Sequence, residues 1–172
     1  MRVAARGHRV DVRIDRLLPH VALAGRHVPG GNHDDLSARR TYRADPRKRV
    51  LSGLSTGGNF PFHALYLEAP GPWTFAHYWS SEGAFWQQAD LVDREEQEMY
   101  DRIGRSPFRV TLVLARGGVA RPPTSVVVRA LYDQFASRDY VGMRLYDYYY
   151  PDFGHVPMDA PSFRHELGLL PK

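Results

Sequence analysis

The stretch from Phe85 to Ala115 constrains the fold of this chain more than any other. Phe85, Ala89, Val92, Met99 and Ile103 recur at helical spacing, which predicts a helix over about residues 84–103 with one buried face. Asp93, Glu95, Glu96, Glu98 and Asp101 fall mostly on the other side, where water solvates them. Ser80 or Ser81 is expected to cap its start, and Gly104 to end it. Phe108-Arg-Val-Thr-Leu-Val-Leu-Ala115 follows at once and reads as a strand. A long amphipathic helix running into an apolar strand requires a layer of helix packed on sheet.

The rest reads mainly as strands and loops. Arg9 to Leu17 alternates strictly, with Val10, Val12 and Ile14 on one side and charges of both signs on the other, as in a half-buried strand. Residues 25–40, rich in glycine and polar side chains, read as a loop. Residues 41–45 read as a short strand, and Gly53 to Pro61 as a second loop centred on Gly57-Gly58-Asn59. Phe62 to Leu67 is expected as a strand, Trp73 to Trp79 as a short helix, 125–132 as a strand in a hairpin with 108–115, and Tyr140 to Tyr150 as the last strand. The Pro-rich tail over 151–172 is expected to wrap the surface. The α/β alternation of a doubly wound fold is not read. The expected fold class is therefore a single α+β domain over 1–172, with a mixed or antiparallel sheet and one well-defined helix.

Composition narrows the function classes. At 172 residues, 43% hydrophobic and 24% charged, the chain matches an ordinary globular domain. No apolar run is long enough to span a bilayer, and the first residues do not read as a signal peptide. The absence of cysteine excludes disulfides, thiolate catalysis and thiolate zinc sites, and fits a cytoplasmic protein, with a secreted effector as the alternative. Residues 1–50 hold twelve Lys/Arg against five Asp/Glu, while residues 51–172 hold eleven against fourteen. This basic first third suits a phosphate or polyanion, and equally a solvated face. We assign no Gly-x-Ser-x-Gly nucleophile motif, phosphate-binding loop or dinucleotide fingerprint.

Tyr42-Arg43-Ala44-Asp45-Pro46-Arg47, followed by Gly53-Leu54, packs two arginines, a tyrosine and an aspartate into six positions. It resembles the first strand of the cholera- and pertussis-type ADP-ribosyltransferase toxins, which carry Tyr-Arg-x-Asp-x-Arg and a Gly-Phe or Gly-Leu soon after. The resemblance covers residues 41–82. It implies NAD as cofactor, Arg43 as the clamp on its diphosphate, and Tyr42, Asp45 and Arg47 as neighbouring binding residues. It further implies that Tyr66 lies in a nicotinamide pocket wall and that Ser80-Ser81 stands for the family's Ser-Thr-Ser. The family's Glu-x-Glu has no counterpart on a later strand. Glu96-Gln97-Glu98 falls in the helix and reads as solvent-facing, so an acid from outside residues 41–82, or Glu82 itself, is needed to face Arg43.

Two further groups stand out. His63 and His77, with Glu68 and Glu82, are general acid–base candidates if their segments pack together. His27, His33, Asp34 and Asp35 cluster in the first loop without a metal-ligand spacing, so no metal is expected. Trp73, Phe75, Tyr78, Trp79, Phe85 and Trp86 crowd fourteen positions, and Tyr146, Tyr148, Tyr149 and Tyr150 crowd five, as in a ligand wall or an oligomer interface. Three functions follow as expectations. The first is a small enzyme binding a nucleotide-like ligand, with ADP-ribosyl transfer implied. The second is a module binding nucleic acid or protein through the basic third and the tyrosines. The third is a biosynthetic enzyme with an aromatic pocket and a His63/His77 pair.

Overall fold

The computed structural model describes residues 45–71, 73–119 and 124–171. Four strands form one sheet in the order β1 (Val50–Leu54), β2 (His77–Ser81), β3 (Thr111–Gly117) and β4 (Arg144–Tyr150). Every neighbouring pair is parallel, with Leu54 opposite Ser81, Ser81 opposite Ala115, and Ala115 opposite Tyr148. The helices are α1 (Thr56–Leu67), α2 (Ala89–Ile103), α3 (Thr124–Ala136) and α4 (Asp159–Leu167). The chain is thus of the α/β type with a parallel sheet, which corrects the expected mixed or antiparallel one. Strand and helix alternate along the whole described length.

Strand order advances one place at a time, so right-handed crossovers place every connecting helix on the same face. Phe62, Leu65 and Tyr66 of α1, Val92, Met99 and Ile103 of α2, and Val128, Leu131 and Phe135 of α3 accordingly share one core with Leu51, Tyr78, Leu112 and Leu114 of the sheet. The opposite face is smaller: Val50, Trp79 and Val113 meet Phe163 and Leu167 of α4 and Leu169 and Leu170 beyond it. β2 and β3 are buried on both faces, while β4 is largely half-exposed as an outer strand.

Several expected elements change type. Phe62–Leu67 lies in α1, and 125–132 lies in α3, so no hairpin forms with β3. His77–Trp79 belongs to a strand, and the tail holds α4. The helix expected over 84–103 is a 3-10 turn at Phe85–Gln88 followed by α2. Gly104 ends it at φ 54°, but its N-cap is Gln88 with no side-chain bond, in place of Ser80 or Ser81. Glu96, expected in solvent, is fully buried. It accepts hydrogen bonds from Gln134, Arg138 and Tyr140, tying α2 to α3 and the following turn. The strand read over 9–17 and the loop over 25–40 lie outside the described residues. No helix among those described is long and apolar enough to cross a membrane.

Candidate active site

The carboxyl edge of the sheet gathers the chemistry. β1 runs straight into α1 through Ser55, with no connecting loop. A junction that abrupt forces its residue into a costly backbone region, and Ser55 sits at φ 59°, ψ −126°. The glycines around it follow from the same close approach. A Cβ on Gly53 would lie 2.0 Å from the carbonyl oxygen of Gly57, and one on Gly58 would lie 2.9 Å from Ser80 Oγ. The backbone of Ser55 is fully engaged. Its N–H donates to Ser81 O at 3.0 Å, and its carbonyl accepts from Gly58 N at 2.8 Å and Ala84 N at 3.1 Å. Its side chain makes no capping bond, which leaves the hydroxyl free of the helix it begins. The first two amides of α1, those of Thr56 and Gly57, precede the Gly58 N–H bond to the Ser55 carbonyl, and the helix start presents partial positive charge at this edge.

Glu82 follows β2 directly. Ser81 and Ala84, on either side of it, are the residues bonded to the backbone of Ser55, so the register sets Glu82 beside the serine. Glu82 has φ 47°; among the described residues it and Ser55 are the non-glycine residues at positive φ. Its carboxylate is fully buried. One oxygen accepts from Gly117 N at 2.6 Å and the other lies 2.6 Å from His155 Nδ1. A carboxylate only accepts, so Nδ1 carries the proton and Nε2 is left as the basic nitrogen. His155 stands in the turn between β4 and α4 with its side chain 39% exposed. Gly154 O and Val156 O, on either side of it, accept from Met158 N and Asp159 N, which fixes the turn to the start of α4.

A hydroxyl on a strained strand–helix turn, at the same sheet edge as a histidine whose Nδ1 is held by a buried carboxylate, supplies the groups for nucleophilic attack assisted by a general base. Ser55 and His155 do not figure in the sequence reading. The signal for Ser55 was present: Gly53-Leu54-Ser55-Thr56-Gly57 satisfies Gly-x-Ser-x-Gly, with the strand before and the helix after that the motif requires. The chain therefore does carry a Gly-x-Ser-x-Gly motif, contrary to the expectation from its sequence.

The other sequence candidates are dispersed. Tyr42 and Arg43 lie outside the described residues. Asp45 caps the 3-10 turn Pro46–Lys48, accepting from Arg47 N at 2.9 Å and pairing with the Arg47 guanidinium, which lowers its pKa to about 2. His63, on α1, is bonded to Glu95 of α2 at 2.5 Å. His77 is buried, with Nε2 3.2 Å from Arg47 O, and burial lowers its pKa. Glu68 accepts from Tyr78 Oη at 2.6 Å and is not paired with either histidine. Tyr66 is buried against Phe62 and Phe135. Trp79 faces α4, edge-on to Phe163. Ser80 and Ser81 are buried at the end of β2, on the two sides of the sheet. Of all these, Glu82 alone takes part in the cluster with His155.

No family model matches the chain, and no curated protein matches it. Solved structures do share its fold. The BES protein from Bacillus cereus superposes with a TM-score of 0.68 at 18% identity, over 78% of this chain and 50% of that one. The siderophore hydrolase EstB from Aspergillus nidulans gives 0.65 at 16% identity, over 80% and 54%. An IroE-like serine hydrolase from Shewanella oneidensis gives 0.56 at 19% identity, over 69% and 38%. The chain thus spans about half the length of these structures or less. The shared fold is α/β-hydrolase-like. It overturns the resemblance to ADP-ribosyltransferase toxins and the NAD-dependent transfer it implied, and it supports neither the binding module nor the His63/His77 enzyme. Gly53-Leu54, read as the end of a toxin strand motif, is the approach to the Ser55 turn.

Proposed function

We propose that this chain carries the catalytic edge of a serine hydrolase acting on carboxylic esters, with Ser55 as nucleophile, His155 as general base and Glu82 as its orienting acid. One observation carries this reading. Strained Ser55 sits on a strand–helix turn next to Glu82, and Glu82 holds His155 Nδ1. The chain order Ser, Glu, His is the order of triad residues in α/β-hydrolases. The hydrolase folds described above lend it support.

In this reading Ser55 Oγ attacks the ester carbonyl while its proton passes to His155 Nε2. The carbonyl oxygen becomes an oxyanion, and the Thr56 N–H, the amide after the nucleophile, donates to it. Collapse breaks the bond to the alkoxide, which takes the proton from Nε2 and leaves as the alcohol. Water then repeats the sequence on the acyl-serine and releases the acid. Glu82 keeps its charge throughout, fixing the Nδ1–H tautomer and stabilising the imidazolium. Burial and the Gly117 N–H hold it in place.

The test is covalent. A fluorophosphonate probe, which reacts with activated serines, should add its mass to the peptide containing Ser55. Turnover of a p-nitrophenyl ester should vanish in Ser55→Ala. Labelling at another serine, or turnover retained in that variant, would overturn the assignment.

A further inference from the structure

The face of the sheet opposite the main core holds a second buried carboxyl. Glu166 of α4 is fully buried and accepts from Ser162 Oγ at 2.5 Å. Its other oxygen has no hydrogen-bond partner. Ser162 is itself fully buried, and Ser81 Oγ donates to its oxygen at 3.5 Å. Ser81 is the residue before Glu82. Ser162 N in turn donates to Met158 O at 3.0 Å, and Met158 N to Gly154 O at 3.2 Å, reaching the residue before His155. Glu166 and Ser162 therefore stand where α4 is pinned to the sheet, and from Ser162 one path leads to the residue preceding each member of the Glu82–His155 pair.

Resting on the serine-hydrolase reading, we propose that Glu166 is a positioning residue for that pair, seating His155 only while its own carboxyl is neutral. The groups that face it give it no cation. Tyr148 and Tyr150 face it from β4, Trp79 and Ser81 belong to β2, and Asp159 and Ser162 belong to its own helix. His165, its neighbour on α4, turns its ring flat onto Tyr148 at 4.1 Å. Burial, with the Asp159 charge adding to it, raises the Glu166 pKa to about 7. A carboxylate formed there has no counter-charge and must take up water, which the apolar packing of Phe163 and Leu167 of the same helix on Val50, Trp79 and Val113 resists. Tilting α4 away from the sheet hydrates the charge. The same tilt draws Met158, and with it the His155 turn, off Glu82.

The decisive variant is Glu166→Gln, which keeps the shape and the Ser162 bond and cannot ionise. Two readouts apply. By proton NMR, the low-field Nδ1–H signal of His155 should be lost above about pH 7 in the wild type and retained in the variant. With a p-nitrophenyl ester, wild-type kcat/KM should decline towards tenfold per pH unit above about pH 7, and the variant should hold its plateau. An Nδ1–H signal with the same pH dependence in both proteins, or equal alkaline limbs in the rate profile, would overturn the proposal. The NMR readout needs no turnover, so it decides the role of Glu166 even if Ser55-dependent hydrolysis, and with it the reaction itself, is not found.

Discussion

Ser55 and Glu82 share a backbone signature that no side-chain chemistry explains. A serine or glutamate at positive φ costs on the order of 1–3 kcal/mol, and the fold retains both at one edge of one sheet. Ser55→Gly should therefore raise stability by about 1 kcal/mol in denaturant unfolding while removing all ester turnover. A loss of stability would mean that the hydroxyl, and not the turn, dictates the local geometry. Glu82→Gln tests the acid. It keeps an acceptor for Gly117 N but removes the charge facing the imidazolium. It should lower kcat by about a hundredfold to ten-thousandfold with KM little changed. Glu82 entered the sequence reading as an acid for Arg43 and as a carboxylate for His63 and His77; its partners are His155 and Gly117. Residue type alone made it a candidate, and the partner came only from the fold.

At the scale of elements, the misread segments have a common cause. Phe62 to Leu67 and Ser125 to Tyr132 are short apolar runs, whose periodicity does not separate strand from buried helix. Val126, Val127 and Val128 favour a strand intrinsically, yet packing on β3 and β4 makes them part of α3. Thr56-Gly-Gly-Asn-Phe-Pro61 holds two glycines and a proline, which by propensity breaks a helix. It is helical because the turn at Ser55 aims the chain back along the sheet, and because Gly53 and Gly58 let the two pack without side chains between them. Gly53→Ala places a methyl 2.0 Å from a backbone carbonyl. It should cost about 3 kcal/mol or more in equilibrium unfolding and lower kcat with it, since α1 must shift away from β1. The α2 segment, long and strongly patterned, was legible, as were the apolar run at β3 and the tyrosine-rich run at β4, but even in α2 the burial of Glu96 was hidden. Its partners Gln134, Arg138 and Tyr140 lie some forty residues on. Glu96→Ala leaves the Arg138 guanidinium without its carboxylate and should destabilise by about 3–5 kcal/mol.

At the scale of the whole molecule, the candidate site draws on three strand ends far apart in sequence, those of β1, β2 and β4. A parallel sheet delivers all three to the same edge, and an antiparallel one does not. The sheet topology was therefore the missing step between a legible serine motif and the proposed triad. The same topology leaves α4 as the cover for one face, and with it the charge state of Glu166 as a term in global stability. Its pKa is raised from 4.5 to about 7 on folding, so the folded state holds its proton more tightly than the unfolded chain. The stabilisation is full below about pH 4.5 and is lost as pH rises to about 7, amounting to about 3 kcal/mol by the usual 1.4 kcal/mol per unit. Asp45, with its pKa lowered to about 2, acts with the opposite sign and only in more acid solution, so it does not overlap this window. Urea unfolding of the wild type at pH 5 and pH 8 should thus differ by more than unfolding of Glu166→Gln at the same two values, with the excess loss on the alkaline side. Equal differences in the two proteins would place the ionised carboxylate in water, and α4 would then be a cover that opens freely rather than one held by a neutral acid.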